Sequence, residues 1–292
     1  MTEIFDESES VRTDVMGEFE AEFTPLPTSA PEAVDAPVEP SAVTGQTFGR
    51  RVATVSVIVP TRNEALNLPY VAERMPEVDE IIVVDGNSSD DTLAVAERLW
   101  PEATIISQTR GGKGNALACG FEAASCDIIV MIDADGSTDP AEIPQFVDAL
   151  LAGADLAKGS RFSAGGDSDD ITAFRRLGNK GLNWLVNRIF DTQFADLCYG
   201  YNAFWRKHLP VLDLPATTAV EDQWGDGFEI ETIINVRMIR AGLRIHEVGS
   251  FESKRIHGNS NLNAFSDGMR VLRTINKERR SHRTARVSAI SE

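Results

Sequence analysis

The sequence predicts an α/β fold built on a mostly parallel, doubly wound sheet with helices on both faces. Two observations predict it. Short runs of β-branched and aliphatic residues, apolar on both faces as buried parallel strands are, recur along the chain. Stretches patterned as helices separate them in strict alternation, which implies parallel strands joined by right-handed crossovers. A third observation locates the ligand: polar, Gly-rich and acidic segments follow the strands, where sheets of this kind bind at a switch in strand order.

The elements follow in order. Thr54-Val-Ser-Val-Ile-Val-Pro60 is the first strand, and Asn63 is placed to cap a helix from about Glu64 to Met75. Asp79–Asp85 is a strand, 90–99 a helix and Ala103–Ser107 a strand. A helix over about 114–124 leads to the strand Asp127–Asp133, and Pro140 suits the first turn of the next helix. Leu156–Phe162 reads as a strand, followed by the loop Gly-Gly-Asp-Ser-Asp-Asp. A helix over 173–190 precedes a strand-like Tyr-Gly-Tyr-Asn-Ala-Phe-Trp. A helix over 228–241, a strand in Arg244–Phe251 and a last helix over about 262–277 complete the pattern.

Composition sets the frame. The 292 residues carry a net charge of −17. Residues 1–50 hold eleven acids and two bases, are rich in Pro, Ala and Thr and show no period, so they are expected to be a disordered acidic extension. The folded domain is expected over 51–278 and a basic, flexible tail over 279–292. An acidic body argues against nucleic-acid binding, which needs a basic face. Cys119, Cys126 and Cys198 are read as reduced core thiols, hence a cytoplasmic protein. No apolar run has the ~20 residues of a membrane span, and the acidic N-terminus is no signal peptide.

Five polar segments fall at the carboxyl ends of strands or in the loops beside them: Pro60–Glu64, Asp85–Asp90, Gly111–Asn115, Asp133–Asp135 and Lys158–Arg161. Asp133 and Asp135, two hard carboxylates where a buried strand ends, suit Mg²⁺ or Mn²⁺ bridging a diphosphate. An isolated Asp-x-Asp reads as a polar turn; its company here favours a site. Asp85 is placed to accept from a nucleobase or ribose, since Ser89 and Asp90 already serve as helix caps. Lys113 lies in a Gly-rich turn before a helix N-terminus, a place that attracts phosphate.

Together these features resemble glycosyltransferase family 2, the inverting enzymes of the GT-A (Rossmann-like) fold, over residues 54–276. Within the family the likeness is to polyprenyl-phosphate (dolichyl-phosphate) mannose and glucose synthases. The stretches that carry it are VSVIVPTRNE, EIIVVDGNSSDDT, GGKGNA, MIDADGSTDP, KGSRF, FEIETIINVRMIRAGLRIHEV and KRIHGNSNL. The resemblance implies a hexosyltransferase with a nucleotide-sugar donor of GDP-mannose or UDP-glucose type. Pro60, Thr61, Glu64 and Asp85 would hold the nucleoside. Asp133 and Asp135 would serve donor and metal, with Asp135 the firmer ligand. Arg161 would stand near the donor phosphates, Arg255 would close over the diphosphate, and Glu231 matches a family glutamate. Two positions depart from the pattern: Asn261 stands where a lysine is usual, and GYNAFW where an arginine-bearing segment is usual.

The acceptor implied is a polyprenyl phosphate, with a saccharide or small-molecule hydroxyl as the alternative. A hydroxyl needs a general base, for which Glu221, Asp222, Glu229 and Glu231 are candidates; a phosphate does not. His257 is a lesser candidate for metal or diphosphate. Helix 173–190 mixes Phe174, Leu177, Trp184, Leu185 and Ile189 with Arg175, Arg176, Lys180 and Arg188, which suits peripheral contact with the inner face of the cell membrane. Packing of that stripe on the core is the competing reading. Nucleotidyl transfer requires a Gly-rich loop directly after the first strand, where Pro-Thr-Arg-Asn-Glu stands. A non-enzymatic nucleotide-binding module would have no need of the acidic pair.

Overall fold

The structure is a computed structural model that describes residues 53–258 and 264–290, with side chains for all but 264 and 282–290. The expected disordered extension over 1–50 and the Asn261 departure lie outside the described residues. The described residues belong to one compact unit, Gly49–Glu292.

The chain alternates β1 (Val55–Thr61), α1 (Leu68–Arg74), β2 (Glu80–Asp85), α2 (Thr92–Leu99), β3 (Thr104–Ser107), α3 (Lys113–Ala123) and β4 (Ile128–Met131). A 3-10 turn at Pro140–Glu142 leads into α4 (Ile143–Leu151), β5 (Leu156–Ser160), a short β6 (Asp167–Ser168) and α5 (Ala173–Phe190). Then come β7 (Asn202–Trp205), α6 (Leu209–Leu212), α7 (Ile230–Arg240), β8 (Ile245–Gly249), β9 (Phe251–Glu252) and α8 (Ala264–Ile290).

Seven strands form one sheet in the order β3-β2-β1-β4-β7-β5-β8. All pairs are parallel except those of β7, which runs antiparallel to both β4 and β5. The chain winds outward from β1 to β3, then returns to β4 on the other side of β1. The switch in strand order therefore falls between β1 and β4, whose carboxyl ends carry Pro60–Glu64 and Asp133–Asp135. This is the mostly parallel, helix-flanked sheet that the sequence predicts.

One face of the sheet packs Leu68, Val71, Val95, Phe146 and Leu150 from α1, α2 and α4. The other packs Leu117, Phe121, Leu212, Ile230 and Ile234 from α3, α6 and α7. A third cluster joins α5, α7 and α8 through Val186, Phe194, Leu197, Val236, Val271 and Ile275.

Three boundaries differ from expectation. Asn63 has φ 58° and caps nothing on α1; its Oδ1 accepts from Ser89 N at 2.7 Å, tying two loops together, and the helix starts at Leu68. The Gly/Asp loop contains β6, paired with β9. The last helix runs to Ile290 rather than ending near Lys277, so 279–290 is helical where a frayed tail is expected. Buried Glu278 anchors this stretch by accepting from Arg237 Nη2 at 2.9 Å and from Arg240.

Candidate active site

A cavity of about 1140 Å³ opens at the carboxyl ends of the central strands. Pro60 and Thr61 at the end of β1, Glu64 beyond it, Lys113 on α3, Asp133 and Asp135 after β4, Arg161 after β5, Glu231 on α7 and Arg255 after β9 all line it. Of the residues expected to hold donor and metal, Asp85 is absent from its walls. That carboxylate is buried and accepts from Ser88 N at 3.1 Å, so it orders the loop beside the site.

The acidic pair sits on a tight turn. Ser137 N donates to Asp135 Oδ1 at 3.0 Å, and Gly136 takes φ 77°. A Cβ on Gly136 would lie 2.6 Å from Ile256 Cδ1, so glycine lets the C-terminal segment close against the turn. That segment is pinned by Ser253 N donating to Ser137 O at 2.8 Å and Ile256 N to Asp135 O at 3.3 Å. It delivers Arg255, whose Nη2 is 2.9 Å from Glu64 Oε1 and 3.2 Å from Asp135 Oδ2. Lys113 Nζ lies 2.5 Å from Asp133 Oδ1 and 2.9 Å from Glu231 Oε1. A Cβ at Gly200 would stand 2.8 Å from that Nζ, so a side chain there would push the ammonium from its present place.

Burial pushes the Glu64 carboxyl above the usual carboxylate range, against the pull of Asn67 and Arg255. Burial likewise raises Glu231, opposed by Lys113. Burial works to lower Lys113, but Asp133 and Glu231 outweigh it and hold the ammonium charged.

Two expected phosphate-binding features are occupied by protein. The N-terminus of α3 already donates Gly114 N and Asn115 N to Asp226 O at 2.7 and 3.2 Å. The glycines around Lys113 serve this contact: a Cβ on Gly112 or Gly114 would fall 2.1 Å from Asp226 O or 1.8 Å from Gly225 O. Arg110 fastens the same loop with a bidentate pair to Asp226 at 2.8 Å. Arg161 donates Nε and Nη2 to Asp196 at 2.7 and 2.9 Å and Nη1 to Glu252 at 3.0 Å. At 5% exposure it organises the cavity wall, and its donors are already committed.

Other expectations sort as follows. Glu221 and Asp222 are exposed and off the cavity wall. Glu229 is buried off the wall, accepting from Gly225 N at 3.1 Å. His257 is exposed and held through its backbone by Asn67. Cys119 and Cys126 are buried as expected, but Cys198 is exposed on the cavity wall, because the loop before β7 turns toward the site. Sequence reasoning missed Arg62, Lys254 and Asn179 on the wall. Lys254 adjoins Arg255, and Asn179 recurs with Asn183 and Asn187 every fourth residue, which are the signals that were available.

The donor chemistry fits a divalent metal of a particular kind. The Asp133 and Asp135 carboxylates on the cavity wall could supply hard oxygen ligands. Among the described residues no group of three or more His, Cys, Asp or Glu side chains could hold a metal ion. Two carboxylates with the remaining positions left for substrate oxygens is the usual way Mg²⁺ is held.

Comparison with known proteins agrees with this geometry. The family model described as Glycosyl transferase family 2 matches residues 56–211. Polyprenol monophosphomannose synthase of Mycolicibacterium smegmatis is 34% identical over 204 residues, covering 66% of this chain and 74% of that protein. Undecaprenyl-phosphate mannosyltransferase of Micrococcus luteus is 30% identical over 232 residues, covering 75% and 91%. Among solved structures, glucosyl-3-phosphoglycerate synthase of Mycobacterium tuberculosis, in complex with Mn²⁺, uridine diphosphate and glucosyl-3-phosphoglycerate, superposes with a TM-score of 0.59 at 25% identity. It covers 78% of this chain and 80% of that one. The sheet order, the acidic turn at the switch point and these matches lead to one conclusion: the chain belongs to glycosyltransferase family 2, has its GT-A fold, and is similar to the polyprenyl-phosphate sugar synthases within it.

Proposed function

We propose that the protein transfers a hexosyl group from a GDP-mannose-type or UDP-glucose-type donor to a polyprenyl phosphate, with inversion at the anomeric carbon. The observation that carries this reading is the cavity's mixed lining. Asp133, Asp135, Lys113 and Arg255 line it together with Ile171, Phe174 and Leu182 from around α5 and Phe265, Met269 and Leu272 from α8. The charged groups suit a diphosphate and the apolar ones a prenyl chain. The names of the two curated relatives support the same acceptor.

In this reading Pro60, Thr61 and Glu64 hold the nucleoside, with Asp85 ordering the adjacent loop. Asp133 and Asp135 hold Mg²⁺ or Mn²⁺, and Mn²⁺ in the related structure supports this assignment. The metal supplies charge neutralisation for the departing nucleoside diphosphate. Lys113 and Arg255 bind the diphosphate and stabilise it as it leaves. Arg161 fixes the wall against which the acceptor lies. The acceptor's anionic phosphate oxygen forms the new bond to the anomeric carbon as the bond to the diphosphate breaks, so no side chain has to remove a proton.

No helix among the described residues is long and apolar enough to cross a membrane. Phe174, Leu177 and Trp184 are 67–71% exposed on α5, beside exposed Arg176, Lys180 and Arg188. This face suits anionic lipid. Leu185 and Ile189 instead pack against the core, so the stripe divides between the two expectations.

A hydroxyl acceptor is the second reading. Glu231, a carboxylate on the cavity wall, is placed to take a hydroxyl's proton. The test is a panel of nucleotide sugars with Mg²⁺ or Mn²⁺, scored for nucleoside diphosphate release with and without polyprenyl phosphate. Release that polyprenyl phosphate does not stimulate, with any donor, would sink the first reading. Asp135→Asn keeps the side chain's shape and removes its charge, so it should nearly abolish release in a protein that still melts cooperatively.

A further inference from the structure

A nucleobase is recognised by groups that meet its edge, and Asp85 is already engaged elsewhere. It lies off the cavity wall, and its two oxygens accept from Ser88 N at 3.3 and 3.1 Å. Beside it at the end of β3 is Gln108, whose N donates to Asp85 O at 2.9 Å and whose side chain lines the cavity. Gln108 Nε2 donates to Arg110 O at 2.5 Å. That bond fixes which way the amide faces, since the reverse orientation would set Oε1 against a carbonyl oxygen. Oε1 accepts no hydrogen bond among the described residues. Gln108 Oε1, Thr61 O and Arg62 Cβ all lie within 3.3 Å of one point, the place a Cβ on Gly86 would take. The amide oxygen is thus held at the strand ends where Pro60 and Thr61 wall the cavity.

We propose that Gln108 reads the nucleobase of the donor, its Oε1 accepting from the ring N–H that guanine and uracil carry beside a carbonyl. The inference rests on the donor reading above and names the group that selects among donors.

The chemistry is directional. A fixed amide oxygen accepts and does not donate. Guanine N1 and uracil N3 each bear a hydrogen. Adenine N1 and cytosine N3, at the same place on the base edge, are acceptors and would face Oε1 lone pair to lone pair. The next group along the edge repeats the distinction: guanine and uracil present a carbonyl, adenine and cytosine an amino group. Arg62 is exposed on the same wall and has no hydrogen bond or ion pair among the described residues, which makes it a donor for that carbonyl. An acceptor and a donor side by side match N–H beside C=O and mismatch the reverse pattern. A mismatched polar edge leaves groups without partners on both sides, and this is how such a site discriminates.

Binding of GDP, UDP, ADP and CDP to the full chain is measured by calorimetry with Mn²⁺ present. At least one of GDP and UDP should bind roughly tenfold or more tightly than ADP and CDP. Gln108→Met keeps the length of the side chain and removes the acceptor. It should weaken the preferred diphosphate roughly 3–10-fold, the worth of one neutral hydrogen bond, and leave ADP and CDP as they were. The preferred diphosphate methylated at its ring nitrogen, as 1-methylguanosine or 3-methyluridine diphosphate, should bind the unaltered protein more weakly and lose nothing further in the variant. Equal binding of all four by the unaltered protein would overturn the proposal. So would an unchanged affinity in Gln108→Met, or a loss shared equally by all four, since Gln108 would then only support the Arg110 carbonyl. If none of the four binds, the donor reading itself fails, an outcome distinct from binding without preference for the base.

Discussion

Arg161 shows how much a single residue's role depends on partners distant in sequence. Its guanidinium reaches Asp196, 35 residues away, and Glu252, 91 residues away, and all three are buried. Burial works to raise the Asp196 carboxyl, but the Arg161 contacts outweigh it and hold the group below its ordinary value. Removing one member of a buried pair leaves the other charge uncompensated, which typically costs about 3–5 kcal/mol. Asp196→Asn should therefore lower urea-unfolding stability at pH 7 by that order. The pH dependence follows from the sign of the shift. A depressed folded value means the carboxylate stabilises fully above the ordinary range near pH 4, and loses this as pH falls through its folded value. The gap between unaltered protein and Asp196→Asn should accordingly shrink as the pH drops below about 4. A gap unchanged down to pH 2.5 would show that Asp196 is not the titrating group. Asp133 and Asp135, by contrast, were legible in the sequence, because their chemistry is local: two carboxylates at the end of one apolar strand. Pro60, Thr61 and Glu64 were legible for the same reason. Arg161 read as a free cation because nothing near it in sequence announces its partners.

Helix α5 carries the clearest device at the level of an element. Asn179, Asn183 and Asn187 recur every fourth residue and grip the segment leading to β7. Asn187 Nδ2 donates to Phe194 O and its Oδ1 accepts from Phe194 N, at 2.9 and 2.8 Å. Asn183 donates to Ala195 O and accepts from Leu197 N at 2.8 Å. Asn179 donates to Asp196 Oδ1 at 2.9 Å. Asn183→Ala leaves the half-buried Ala195 carbonyl and the buried Leu197 N–H without this partner, at about 1–3 kcal/mol for the buried group. The melting temperature should fall clearly, and a change within experimental error would mean the segment is held by its apolar contacts alone. Gly114→Ala tests the other junction, since its Cβ would collide with Gly225 O. It should displace the 225–226 loop from α3 and reduce nucleoside diphosphate binding through Lys113, as measured by calorimetry. The bounds of α5 were legible because Thr172 caps it, accepting from Arg175 N, and Asp191 ends it in a left-handed conformation. The direction of β7 was not, because alternation of apolar residues marks a strand but carries no sense of travel. The end of α8 was missed because its anchor, Glu278, is held by arginines of α7.

For the whole molecule, the question is how an acidic protein would meet an anionic surface and which oxygen would then attack. The net charge of −17 opposes approach to anionic lipid, but exposed charges are screened beyond about 8–10 Å at physiological salt. Any such contact would therefore be decided locally, by Phe174, Leu177 and Trp184 with the basic residues beside them. Binding to anionic liposomes in flotation should weaken with salt, and Trp184→Ser with Leu177→Ser should weaken it further without altering the melting temperature. The attacking oxygen is a separate matter. Of the four carboxylates that sequence offered as bases, only Glu231 reaches the cavity wall, and it is already paired with Lys113. If the acceptor is a phosphate, no proton has to be removed, and Glu231→Gln should keep substantial activity, its losses confined to the placing of Lys113. If the acceptor is a hydroxyl and Glu231 takes its proton, the same change should cost about 10²–10⁴ in kcat. A double comparison separates these effects. Lys113→Gln alone measures the cost of disturbing the cation. Should Glu231→Gln exceed that cost by two orders of magnitude, in a protein that also fails to float with anionic liposomes, the polyprenyl phosphate reading gives way to a hydroxyl acceptor.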